Sequence, residues 1–318
     1  MSQVYRWCRA GCAGLAVLCV LALSACATPQ AAALRQTPGD LPVRQQLTVP
    51  FVAQEGYYCG PAAVDMALKH HGIKVDYAQL VKGLVIPDRE GSLQLEMLSA
   101  TRRHGLLAYP LKPALRDVLQ ETQAGRPVIV LVNLAYWWWP RWHYVVVTGY
   151  DLPAAKVYVH SGDRADQAWS LYTFERLWSR AGYWGFVPLS PGELPVNPDE
   201  KIYMRAALDL ERGSGVAVAE PAYRKAVEAW PQNLTALIAS GNARYAAGDR
   251  SQAEQLFREA VAAHPESAVA ANNLAQVLLE HGRADEALHW AQKAVELGGG
   301  AAARATLQDI QRQAQATH

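Results

Sequence analysis

The chain has 318 residues, of which 51% are apolar and 19% charged, enough to bury cores in two modest domains. Its 30 basic and 29 acidic residues nearly cancel and form no basic stripe, which argues against a nucleic-acid partner. Walker A loops, dinucleotide glycine fingerprints and His-Glu-x-x-His motifs are all missing from the sequence, so neither a cofactor nor a metal is expected.

The first segment reads as a targeting signal. Arg6 and Arg9 precede an uncharged apolar run over residues 10–25, short for a spanning helix. The run ends in Leu23-Ser24-Ala25-Cys26, which resembles the lipobox of bacterial lipoproteins. That resemblance implies a signal peptide over 1–25 and acylation of Cys26. With Ala27 rather than Asp next, it implies an outer-membrane anchor facing the periplasm. Residues 26–45, rich in Ala, Gln, Pro and Thr, are expected to form the lipidated start and a flexible tether.

Residues 46–190 mix strand and helix patterns. Residues 47–52 are extended, and a helix is predicted from Pro61 to His71, opened by a proline and stopped at Gly72. Further helices are predicted at Tyr77 to Val85, Ser92 to His104 and Leu115 to Gly125. Val- and Tyr-rich strands follow at Pro127 to Leu134, His143 to Tyr150, Lys156 to His160 and Trp184 to Leu189. Helices first and antiparallel strands after is an α+β pattern. A three-proline stretch over 191–200 predicts a linker.

Residues 201–318 are all helical and recur at 34 residues. Pro231 maps onto Pro265, Gly248 onto Gly282, Ala253 onto Ala287, and Ala226 through Ala260 onto Ala294. Small residues at fixed offsets let paired helices approach, and Gly and Pro end them. The pattern resembles the tetratricopeptide repeat, with a degenerate first copy and a final helix from Ala302 to Gln315 expected to cap the stack. Such repeats imply a concave surface for a protein partner.

Five cysteines are encoded: Cys8, Cys12, Cys19, Cys26 and Cys59. If the first three leave with a signal and Cys26 carries lipid, Cys59 is the one thiol left, with no disulfide partner. It stands in Gln54-Glu55-Gly56-Tyr57-Tyr58-Cys59-Gly60-Pro61-Ala62, just where a helix begins. A helix N-terminus favours thiolate and offers backbone N–H groups to an oxyanion. Gly60 would keep that approach open, and Gln54 could add a side-chain N–H. Of the histidines, His143 opens a strand and could face the thiol from a sheet. His70 and His71 lie roughly 16 Å away along the helix, at 1.5 Å per residue.

The Gln54…Cys59-Gly60-Pro61-Ala62 motif, with His143 in His-Tyr-Val-Val-Val-Thr-Gly-Tyr, resembles the bacteriocin-leader (double-glycine) peptidase-like group of papain-like cysteine peptidases. The likeness spans about residues 46–190. It implies Cys59 as nucleophile, His143 as general base and then acid, and Gln54 in the oxyanion hole. The group's Asp on the next strand is not matched: Ser161 or His160 stands there, and Asp163 lies two residues beyond, so the partner orienting His143 is left as Ser161 or Asp163. Tyr58 and the rings of Trp137, Trp138, Trp139 and Trp142, just before His143, are expected to wall the substrate cleft. No transporter segment follows, so leader export is not expected.

The expected protein is an α+β papain-like domain followed by all-α tetratricopeptide repeats. Its expected activity is that of a membrane-anchored thiol peptidase or amide hydrolase acting on peptide or protein, with acyl transfer also open. The alternative is an inactive envelope lipoprotein that binds peptides and partners.

Overall fold

In a computed structural model, residues 28–316 are described apart from Glu55, Pro87 and Arg89, with side chains to residue 313. The expected signal peptide over 1–25 and the expected lipidation site Cys26 lie outside the described residues. The chain divides into two compact units: residues up to 97 with 110–188, and residues 98–109 with 189–318.

The first unit is built on an antiparallel sheet around one long strand. In chain order its strands are β1 (Arg44–Gln46), β3 (Val128–Asn133), β4 (Trp142–Asp151), β5 (Lys156–Ser161), β6 (Arg164–Ser170) and β7 (Gly185–Leu189). The short β2 (Leu107–Pro110) falls in the other unit. The order across the first unit is β7-β3-β4-β5-β6, with β1 paired beyond the end of β3 on the same side of β4. Strands β3 and β7 are buried on both faces, which explains the unbroken Val, Ile and Leu run of β3. Helix α2 (Cys59–His70) packs against β4 and is buried from Cys59 through Leu68. Around them lie α1 (Pro29–Gln36), α3 (Tyr77–Leu84), the start of α4 (Gln94–Arg103), α5 (Leu115–Gln123) and α6 (Leu171–Ser179).

Residues 28–45 differ from the expected flexible tether. Helix α1 docks: Ala31 and Leu34 are buried, and the Gln30 and Ala31 N–H groups donate to the Glu175 carboxylate at 3.0 and 2.6 Å. A fully buried carboxylate from α6 thus satisfies two of the orphan amides at the first turn of α1. Arg116 holds the carbonyls of Thr37 and Pro38, and β1 completes the segment.

The sequence pattern also placed no element between Ser161 and Trp184, where β6 and α6 stand. Strand β6 is an exposed edge with little apolar alternation, so its pairing with β5 rather than its composition makes it a strand. Helix α6 carries Leu171, Phe174 and Trp178 on its buried face, a helical spacing.

Among its described residues the second unit contains seven helices after residue 199: α7 (Glu200–Ser214), α8 (Val216–Ala229), α9 (Leu234–Ala246), α10 (Arg250–Ala263), α11 (Ala268–Glu280), α12 (Ala284–Glu296) and α13 (Gly300–Ala316). Each packs on the next. The positions that recur in sequence recur in the core: Ala219, Ala253 and Ala287 are fully buried, as are Ala226, Ala260 and Ala294. Asn233 and Ser267, 34 residues apart, each accept a backbone N–H at the start of α9 and α11, so that cap repeats with the period; Asp249 caps α10, but its equivalent Arg283 makes no side-chain cap on α12. Ala303 and Ile310 of α13 join the same core as α10–α12. The α+β unit followed by helical repeats is the expected fold class.

Candidate active site

Cys59 is the first residue of α2 and is 9% exposed. Tyr58 precedes it with no side-chain cap, so the first-turn amides are not consumed by a capping oxygen. Packing explains the glycine that follows. A Cβ at Gly60 would sit 2.5 Å from Ser92 Oγ and 3.1 Å from Met97 Sδ. The close neighbour of Gly60 is therefore the 92–97 segment, rather than the substrate approach expected from sequence.

His143 lies near the start of β4, paired with Val132 of β3. It and Cys59 line the same cavity, of about 1310 Å³, together with Gln54, Tyr57, Trp142 and Ser161. Strand pairing brings Ser161 to the ring. Val146 pairs with His160, and continuing that register sets Ser161 beside Val145, on the face that also carries His143. The result is a 3.0 Å hydrogen bond between His143 Nε2 and Ser161 Oγ. With Nε2 occupied, Nδ1 is the nitrogen left for proton transfer. Asp163 lines the cavity but its side chain is 87% exposed, with Arg164 at 3.9 Å as its ion-pair partner. Of the two residues left open by the sequence, Ser161 is the one on the ring.

His160 is buried and has structural partners. Its Nε2 meets the Val49 carbonyl at 3.0 Å, and its Nδ1 accepts the Asp166 N–H at 3.0 Å. His70 and His71 bind the Gly125 and Pro188 carbonyls.

Gln54 is held by Gly162 in a reciprocal pair. Gln54 N–H donates to the Gly162 carbonyl at 2.9 Å, and Gly162 N–H donates to Gln54 Oε1 at 3.2 Å. Gly162 has φ +61°, a backbone turn that suits glycine. This fixes the amide with its carbonyl toward Gly162, leaving Nε2 buried and without a hydrogen-bond partner. A buried, unpaired donor costs free energy unless a ligand completes it. In the cavity that the thiol also lines, that donor suits an arriving carbonyl oxygen.

Burial sets the protonation states. The Cys59 thiol is pushed above its ordinary value of 9.0 by desolvation, opposed by backbone N–H groups of Tyr144, Gly60 and its own residue. His143 is lowered to about 4, first by desolvation and then by the Arg141 charge. Tyr144 was not anticipated from sequence. Its phenol is pushed well above the usual range by burial and then by the neighbouring Cys59, and its hydroxyl donates to the Ser92 carbonyl at 3.1 Å. Its adjacency to His143 in sequence was the available signal.

Comparisons with known proteins agree with this architecture. Residues 46–185 match the Peptidase_C39 like family, and residues 238–302 match the tetratricopeptide repeat. The chain carries a C39-like peptidase domain followed by tetratricopeptide repeats. Among solved structures, a chain described as a C39-like peptidase from Bacillus anthracis is 18% identical, covering 46% of this chain and 97% of that one, with TM-score 0.39. The first tetratricopeptide domain of Spaghetti (RPAP3), bound to the HSP90 peptide SRMEEVD, is 17% identical, covering 36% and 93%, with TM-score 0.35. The Sgt2 tetratricopeptide domain from Aspergillus fumigatus is 18% identical, covering 37% and 81%, with TM-score 0.35. No curated protein shows significant similarity to the chain.

Two expectations about the cleft of the C39-like domain are corrected. Trp142 lines the cavity, but Trp137, Trp138 and Trp139 do not; they form the tip of an exposed hairpin. Tyr57 rather than Tyr58 lines the cavity. Alternation along a turn of large rings cannot be read without knowing which side the strand presents to the cleft.

Proposed function

We propose that the C39-like domain is a thiol peptidase or amide hydrolase, held at the outer membrane by acylated Cys26, with repeats that present a protein partner. The observation that carries this reading is the convergence on one cavity of Cys59 at a helix start, His143 with its Nε2 on Ser161, and the unpaired Nε2 of Gln54.

In this reading His143 Nδ1 takes the Cys59 proton as sulfur attacks the scissile carbonyl carbon. The tetrahedral oxyanion receives hydrogen bonds from Gln54 Nε2 and the amides at the start of α2. The imidazolium then returns its proton to the leaving amine, giving a thioester on Cys59. Water, deprotonated by the same nitrogen, hydrolyses the thioester and frees the carboxylate and the thiol; an amine in place of water would give acyl transfer. Ser161 holds the ring by accepting from Nε2–H, which keeps the lone pair on Nδ1. A hydroxyl stabilises the imidazolium less than a carboxylate would.

That same substitution favours a second reading. With a raised thiol, a lowered imidazole and no carboxylate on the ring, the domain would grip a peptide without cleaving it. A peptide electrophile separates the two. Catalysis predicts fast, saturable modification of Cys59, lost in Cys59→Ala and slowed at least about a hundredfold in His143→Ala. Slow modification that is indifferent to His143 supports the gripping module instead.

A further inference from the structure

The segment Leu134 to Trp142 joins β3 to β4 as a built projection. Asn133, 1% exposed, ties its base: Oδ1 accepts the N–H groups of Ala135 at 3.0 Å and Arg141 at 2.9 Å, and Nδ2 donates to the Tyr136 carbonyl at 3.2 Å. Leu134 N–H bonds the Arg141 carbonyl, and Tyr136 bridges to Trp139. The tip is held yet lies in water. Trp137, Trp138 and Trp139 are 79%, 63% and 76% exposed, and Tyr136 is 57% exposed. The rings pack on one another, Tyr136 stacked on Trp138 at 4.8 Å and Trp137 edge-on to Trp138 at 5.5 Å. A fixed cluster of this kind marks a contact surface, and its tip does not line the catalytic cavity.

Two further observations identify the partner. In residues 134–143 and 171–184 the exposed charges are Arg141, Arg176 and Arg180, and the one carboxylate, Glu175, is buried under α1. Helix α6 also links the hairpin to the start of the described chain. Arg180 donates to the Ala135 carbonyl at 2.6 Å, while Glu175, roughly 7.5 Å back along the helix at 1.5 Å per residue, holds the N–H groups of Gln30 and Ala31. In the reading above the acyl chain is carried by Cys26, four positions before Gln30 in the sequence. Tryptophan and arginine together suit the headgroup region of a bilayer.

We propose that this aromatic hairpin seats the C39-like domain on an anionic phospholipid surface. The proposal extends the membrane-anchoring part of the reading above, but the contact acts without the acyl chain and without Cys59 chemistry. The test uses the chain from residue 26 onward with Cys26→Ser, mixed with vesicles of phosphatidylethanolamine and phosphatidylglycerol or of phosphatidylcholine alone. The expected result is co-sedimentation with the anionic vesicles, a blue shift in tryptophan emission, and quenching by brominated lipid. Trp137→Ser with Trp138→Ser and Trp139→Ser should bind at least about tenfold more weakly with unchanged melting temperature, and Arg141→Gln should weaken binding to the anionic vesicles alone. Cys59→Ala should bind as the parent does, so loss of the catalytic reading leaves this result intact. The proposal is overturned if the parent stays in the supernatant or if the triple variant sediments equally well. Self-association through the hairpin without lipid binding overturns it too, as does loss of peptide turnover in the triple variant with vesicle binding unchanged.

Discussion

The protonation states at the cleft predict a particular reactivity profile for Cys59. Its thiol titrates above 9.0 because burial outweighs the backbone N–H groups that face it, and His143 titrates near 4. Between those values both groups are neutral, so the cavity holds a thiol and an imidazole rather than a thiolate–imidazolium pair. Each pH unit below the thiol value costs tenfold in thiolate, about 1.4 kcal/mol, leaving less than about 1% thiolate at pH 7. Alkylation by iodoacetamide, which needs thiolate and makes no use of the oxyanion donors, should rise about a hundredfold from pH 6 to pH 8 and continue upward past 9. The assay is the second-order rate at Cys59, read by intact mass against the Cys59→Ala control. A plateau from about pH 4.5 to 8, at a rate close to that at pH 10, would mean a preformed ion pair and refute the burial argument.

Stability should follow His143 in the acid range. The unfolded chain takes up a proton near 6.5 while the folded one waits until about 4, so protonation favours unfolding in that window. The His143 contribution is complete above 6.5 and falls by up to about 3 kcal/mol as pH drops to 4; denaturant melts of the parent and His143→Gln should diverge there and nowhere above neutrality. At the ring's other nitrogen, Ser161→Asp should raise the His143 value, moving its C2 proton titration in NMR upward by at least about one unit, while Ser161→Ala should slow electrophile labelling about tenfold or more through loss of orientation. In the repeats, Gly241→Ala places a methyl well inside the Phe257 ring edge. The helix propensity gained is about 1 kcal/mol against roughly 1–3 kcal/mol for overpacking, so thermal melts should show a net loss; a gain would mean that Phe257 moves freely.

Much of the molecule was written locally. The thiol at a helix start follows from Pro61 at the first turn and Gly72 at the end, and His143 at the head of a strand follows from the Val-rich run after it. The repeats were legible because each small residue that lets two helices meet returns 34 positions later. Local order and spacing suffice for these features, since a helix cap, an apolar period and a 34-residue recurrence depend on neighbours along the chain.

What tertiary structure decided lies between distant residues. Register across β4 and β5 chose Ser161 over Asp163 for the imidazole, since a one-residue slip would have turned Ser161 to the other face. Glu175, about 145 positions away, turned the expected tether into a docked helix by accepting its first amides. The Gly162 clasp aimed the Gln54 amide and left one donor open, and Asn133 held three tryptophans outside the cleft their sequence position suggested. Each of these rests on a hydrogen bond whose partner is set by folding, and composition carries no trace of which partner that will be.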